Sequence, residues 1–200
     1  PLLIPVISRR HDWSPLKVVA MFDAVDPGLA AETIAIAASQ AHPQIAARLI
    51  RHLAATQSPQ GLPPLRALLQ RGTPPDDILA ACLFLFGECS DPRDVATIRA
   101  HIFHPTWYVR LQAASALGKV GVEEDEALLI KLLDDEHWWV RYRAAEALSK
   151  LPWMTPEKLA ELCSGLSTVE SHEHMVPFMA QTNVGKTRPM PPTPPHAHAS

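Results

Sequence analysis

Histidine, cysteine and glycine are the residues through which this chain could do chemistry, and their spacing decides how much is available. Ten histidines are present. His101 and His104 stand three apart at one helix end, and His137 falls at the corresponding edge of a later segment. Zinc takes three or four preorganised ligands, so this trio is one candidate set. The plainer reading makes His104 and His137 loop and cap residues and assigns no metal. His172, Glu173 and His174, with His196 and His198, form a looser cluster. Alternate residues on a helix point apart, so 172 and 174 could not chelate together there. Gly185-Lys186-Thr187 matches the end of a phosphate-binding loop but lacks the earlier glycine. No G-x-S-x-G elbow presents a serine nucleophile. Cys82 and Cys89 would stand two turns apart on one helix, about 10 Å, too far for a disulfide. Together with Cys163 and the lack of any Cys-x-x-Cys pair, this reads as a reducing, cytoplasmic setting. No catalytic constellation emerges; the expectation is a protein that is not an enzyme, with no cofactor and no small-molecule substrate.

Aromatic residues are the other candidates, for binding. Trp107, Tyr108, Trp138, Trp139 and Tyr142 gather at the same edge of two similar segments, with Phe103 and Trp153 nearby in sequence. Tryptophan and tyrosine are enriched at binding hot spots, so this set is a candidate partner-binding strip. The alternative is that one member of each pair wedges into the seam between segments, since tryptophan is usually largely buried. Trp107 and Trp138 occupy equivalent positions and are expected to stack.

Helices must position these residues. Alanine and leucine dominate and aromatics are only 6%, a balance that favours helix over strand. The periodicity predicts helices over 15–25, 28–41, 43–57, 62–71, 75–88, 92–103, 106–120, 125–134, 137–151 and 155–165. Proline recurs where they begin, at positions such as Pro15, Pro27 and Pro43, which helices tolerate. Gly118 and Gly121 are placed to end the helix that starts near Trp107.

The helices repeat. HPTWYVRLQAASALGKVG (104–121) and DEHWWVRYRAAEALSKLP (135–152) align without a gap, His104 falling on Asp135. In that register Val109 falls on Val140, Arg110 on Arg141, Ala113-Ala114 on Ala144-Ala145, and Lys119 on Lys150. One step earlier at the same offset, DDILAACLFLFG sets Ile78 under Val109 and Gly87 under Gly118. Neither helix of such a pair covers its apolar stripe alone, so neighbouring copies must stack.

The string V-R-x-x-A-A-x-A-L-[GS]-K, at Val109–Lys119 and Val140–Lys150, resembles the first helix of a HEAT repeat, in particular the short bacterial variety named after phycobilisome lyases. The specific match covers roughly 74–166. The resemblance implies an all-α, right-handed α-solenoid of stacked antiparallel helix pairs, HEAT/armadillo-like. It also implies an acid before the first helix that pairs with the arginine, forming a ladder between repeats. Asp135 fits that role for Arg141, whereas His104 stands opposite Arg110. Second helices line the concave face of a solenoid, which makes Arg99, Glu126, Ile130 and Lys131 further candidates for partner contact. The iron-binding His-Glu pairs of the deoxyhypusine hydroxylases are absent at Trp138-Trp139 and Glu146-Ala147. Chromophore-attaching, lyase-like relatives and HEAT-like DNA glycosylases supply the alternative functions. A formal net charge of -3 gives no basic field that would favour nucleic acid.

The organisation expected is a leader (1–14), a solenoid of about five helix pairs (15–166), a terminal helix (167–182) and a proline-rich flexible tail (183–200). The tail carries Arg188-x-x-Pro191-x-x-Pro194, the spacing of a ligand for proline-reading domains, although a plain linker is favoured. The chain does not open with Met, which points to a fragment or processed form. Its first residues, PLLIPVISRR, read as an apolar leader packed on the first helix. A minor reading takes them as the exit of a truncated membrane helix, with membrane association through a missing N-terminal segment. The functional expectation is a protein–protein interaction scaffold or regulatory module.

Overall fold

The computed structural model describes residues 27–38 and 43–165. The expected leader, the helix over 15–25, the terminal helix over 167–182 and the tail lie outside the described residues. Nine α-helices follow one another among those described: α1 (Pro27–Ala38), α2 (Pro43–Ala55), α3 (Leu62–Gln70), α4 (Asp76–Cys89), α5 (Val95–Ala100), α6 (Trp107–Val120), α7 (Glu126–Lys131), α8 (Trp138–Lys150) and α9 (Pro156–Gly165). Proline opens α1, α2 and α9 and the 3-10 turns at Pro59–Gly61 and Pro92–Asp94, where its missing N–H leaves no helical bond unmade. The stop of α4 is local: Ser90 adopts φ 50° and ψ 41°, and its N–H donates to Phe86 O at 3.0 Å.

The helices form two layers. The longer ones, α2, α4, α6 and α8, pack in series, each on its predecessor. The shorter α5 and α7 each lean on the long helix that follows, α6 and α8. This is an α-solenoid of paired antiparallel helices, as the repeat demands. Equivalent residues do equivalent work in its core: Val109 and Val140, Ala113 and Ala144, and Leu117 and Leu148 are all fully buried. Phe86 of α4 and Leu129 and Leu133 of the second layer are fully buried as well.

Two expectations need correcting here. The second helices are not continuous over 92–103 and 125–134; each is a short α-helix of 6 residues entered by a 3-10 turn, and the latter ends in another at Leu132–Asp134. The turns exist because Asp91 and Asp125 draw nearby amides into side-chain bonds, Arg93 N to Asp91 Oδ1 at 3.0 Å and Val122 N to Asp125 Oδ2 at 2.9 Å. Gly118 does not end α6 but lies inside it. A Cβ there would come within 2.6 Å of Ala147 Cβ and 2.8 Å of its Cα. Gly87 stands in the same relation to Ala116, 2.8 Å from its Cα. Glycine at this position is therefore what allows α4, α6 and α8 to approach closely, while Gly121 does cap α6, donating to Leu117 O at 2.8 Å.

Candidate functional site

The turns that open α6 and α8 are built alike, and they carry the candidate residues. Arg110 Nη1 donates to the carbonyls of His104 (2.9 Å) and Pro105 (2.8 Å); Arg141 Nη1 does the same to Asp135 (2.7 Å) and Glu136 (3.1 Å). Each arginine thus staples its own turn. His104 Nδ1 accepts from Thr106 N at 3.2 Å, and Asp135 Oδ1 accepts from His137 N at 2.8 Å. Histidine and aspartate, at the same position of successive repeats, perform the same local service.

Their long-range roles differ. The Asp135 carboxylate pairs not with Arg141 of its own repeat, the partner expected for it, but with Arg110 of the preceding one, at 2.7 and 2.9 Å, which makes a contact between repeats such as the resemblance implies. Both side chains are nearly inaccessible. The bidentate contact holds the Arg110 guanidinium above its ordinary range, against the opposing effect of burial. His104, lacking a carboxylate, sits 4.0 Å from Asp76 of α4. The ladder therefore runs from one repeat to the next, because Arg110 lies over the turn that follows it.

A second set of pairs spans the short-helix layer, and the sequence reading missed it. Arg66 of α3 reaches Asp94 (2.6 Å) and Asp91 (2.7 Å), and Arg99 of α5 grips Asp125, its Nη2 2.9 Å from Oδ2. Asp94 and Asp125 are buried and fall on each other at the repeat offset, the signal by which they could have been found. Arg99, expected as a contact residue, is thus tied into the stack, although 40% of its side chain stays exposed. Lys131 is exposed, and Ile130 is half-buried. Glu126 accepts from Lys158 Nζ (2.7 Å) and Trp153 Nε1 (3.1 Å), joining α7 to α9.

The aromatic residues do converge. Trp107 stacks face to face on His137, with centroids 5.4 Å apart and planes 8° from parallel, and meets Tyr108 edge-on at 5.8 Å. Trp138 stacks on Tyr142 at 5.3 Å and meets Trp139 edge-on at 4.7 Å. The expected Trp107–Trp138 stack is not the contact that forms, since the His137 ring receives Trp107. Tyr142 is buried, against the rings of Trp138 and Trp139 on its own helix. Trp107, Tyr108 and Trp139 are half-buried, and Trp138 is 38% exposed. The set divides accordingly: Tyr142 is covered, and the others present ring surface at one edge of α6 and α8. Tyr108 also lies against Asp77 and Asp76, and burial together with these carboxylates raises its phenol pKa.

A groove of 280 Å³ crosses α4, α6 and α8 further along, lined by Glu88, Lys119, Arg143, Glu146 and Lys150. Its charges pair with one another: Lys119 with Glu88 at 2.5 Å, and Glu146 with Arg143 at 2.5 Å and Lys150 at 2.9 Å. His101 and His104 lie with rings 5.9 Å apart, while His137 is engaged by Trp107, so the histidine trio does not come together. Among the described residues no group of three His, Cys, Asp or Glu side chains is placed to hold a metal. Cys82 is buried, which pushes its thiol up to about 12. No helix among the described residues is long and apolar enough to cross a membrane.

Stapled turns, an inter-repeat ladder and glycine–alanine seams together define a helical repeat solenoid. Comparison with family models agrees: residues 68–149 and 95–172 match the model described as HEAT repeats. The two stretches together span more than half of the chain, which belongs to the HEAT-repeat family. Among curated proteins the chain has no match.

Proposed function

We propose that this protein is a non-enzymatic scaffold that binds another protein through the aromatic edge of α6 and α8. The observation that carries this reading is the ring array itself. Trp107, Tyr108, Trp138 and Trp139 open two successive long helices and keep ring surface accessible, while buried Tyr142 holds the array in place. Rigid, half-exposed tryptophan and tyrosine suit a binding hot spot, because little side-chain entropy is lost on contact. The strong ion pairs along the stack engage one another across repeats, which suits a rigid platform. The recurring V-R-x-x-A-A-x-A-L-[GS]-K string supports the short, phycobilisome-lyase-like bacterial variety of the repeat, without that variety's activity. Free thiols at Cys82 and Cys89 fit a cytoplasmic setting.

The test is the double variant Tyr108→Ala/Trp139→Ala, used as bait beside the unmodified chain. We expect the thermal midpoint to fall by no more than a few degrees while specifically captured proteins are lost. Loss of the folded state instead would assign these rings to the seam, and unchanged capture by a folded variant would remove the edge as a binding surface.

A further inference from the structure

We infer that the groove crossing α4, α6 and α8 takes an acidic segment of a partner protein, with one of its carboxylates seated on Arg143 and Lys150. The groove shares no residue with the aromatic edge: the rings open α6 and α8, whereas the groove residues follow further along both helices. Helical spacing gathers them. Gln112, Ser115 and Lys119 share one face of α6, and Arg143, Glu146 and Lys150 take the equivalent positions on α8 at the repeat offset. Where the two helices meet, the residues are small, Gly118 lying against Ala147 with no room for a Cβ. A recess of 280 Å³ is thereby left among longer side chains.

The charges in the groove pair unevenly. Lys119 has Glu88 to itself, whereas Arg143 and Lys150 share the single carboxylate of Glu146, at 2.5 and 2.9 Å. One positive charge is left over. Glu146 lies inside, 4% exposed, while Arg143 and Lys150 keep 36% and 55% of their side chains in solvent. Among the described residues Arg143 engages Glu146 through Nη1 alone, which leaves Nε and Nη2 to donate as a fork. An incoming carboxylate would therefore meet donors first and the buried acid only behind them. The neutral lining says what carries that carboxylate. Gln112 and Ser115 have no side-chain hydrogen bond within the described residues, and a side-chain amide both donates to and accepts from a peptide backbone. The recess also falls below the roughly 300–1,000 Å³ of a small-molecule cleft, so it fits one side chain and its adjoining backbone. A single excess charge matches a carboxylate. A phosphate group, with nearly two charges, would be left partly uncompensated beside Glu88 and Glu146.

The experiment follows the fluorescence anisotropy of a labelled octapeptide of alternating glutamate and alanine as the full chain is added. Saturable binding is expected, about tenfold or more stronger than for the same peptide with glutamine in place of glutamate, and weakening as salt rises. Lys150→Gln should weaken it about fivefold or more, and Arg143→Lys, which keeps the charge but loses the fork, about threefold. Lys150 is more than half exposed, so its replacement should leave the fold intact, which thermal melting checks. Arg71→Gln removes an exposed cation outside the groove and should change nothing. No saturation by about 1 mM peptide would overturn the proposal. So would equal binding of the glutamine peptide, or equal losses from Lys150→Gln and Arg71→Gln. Displacement by inorganic phosphate or an oligothymidylate at lower concentration than by unlabelled peptide would overturn it in favour of a phosphate-bearing ligand. The Tyr108→Ala/Trp139→Ala chain should bind the peptide as the unmodified chain does, so failure of the groove and failure of the aromatic edge are seen separately. Loss of peptide binding in that folded variant would move the peptide to the edge and remove the groove as its site.

Discussion

The two layers of this solenoid are held by different physics. In the long-helix layer, α4, α6 and α8 meet through Gly87 against Ala116 and Gly118 against Ala147, backbone nearly on backbone, and the Arg110–Asp135 pair locks one end of the seam. In the short-helix layer, two-turn helices bury few side chains: Val95 and Ile98 in α5, and Leu129 in α7. There the charge pairs of Arg66 with Asp94 and Arg99 with Asp125 carry register from one repeat to the next. Length explains the difference. A helix of four turns presents a long apolar stripe, whereas two turns cannot, and an arginine–carboxylate fork supplies the direction that the small apolar contact lacks.

This contrast can be broken at four positions. Asp135→Ala should have the largest effect, about 3 kcal/mol in chemical denaturation, because it strands a buried guanidinium that retains only its turn carbonyls and Glu136. A loss below about 1 kcal/mol would show that the ladder is incidental to the long layer. Gly118→Val should follow at roughly 1–3 kcal/mol, by forcing α6 away from α8, and crystals of the variant should show the interhelical distance widened. The smallest change is expected from Arg99→Ala. Its guanidinium is partly solvated, and the buried Asp125 carboxylate left behind keeps its bond from Val122 N, so the effect should stay at about 1–2 kcal/mol. Asp125→Ala should exceed it by about 1 kcal/mol, since the buried carboxylate also accepts from Val122 N. If Arg99→Ala matched Asp135→Ala, the distinction between layers would fail.

Legibility in the sequence follows the same division. The long helices are readable almost to the residue: periodicity gives 106–120 where the structure has Trp107–Val120, and 137–151 where it has Trp138–Lys150. Alanine and leucine periodicity is local and recurs in each copy of the repeat. The short helices are located by pattern but drawn too long, since a 3-10 entry obeys side-chain bonds such as Arg93 N to Asp91 rather than apolar spacing. Within the candidate site, the gathering of Trp107, Tyr108, Trp138 and Trp139 at one edge follows from their equivalent positions. That Tyr142 is buried, and that Trp107 faces His137, does not.

The sequence by itself determined the architecture: helix, break, helix, at a fixed pitch, with small residues where helices must touch. Only the tertiary structure decided which Asp135 partner is the ladder, that Gly118 serves contact rather than termination, and that Arg99 is tied down by Asp125. The reason is one of range. Periodicity and capping act within a few residues and leave their mark on the letters. A pair across repeats depends on how far one helix slides along its neighbour, and that offset is set by the whole interface at once.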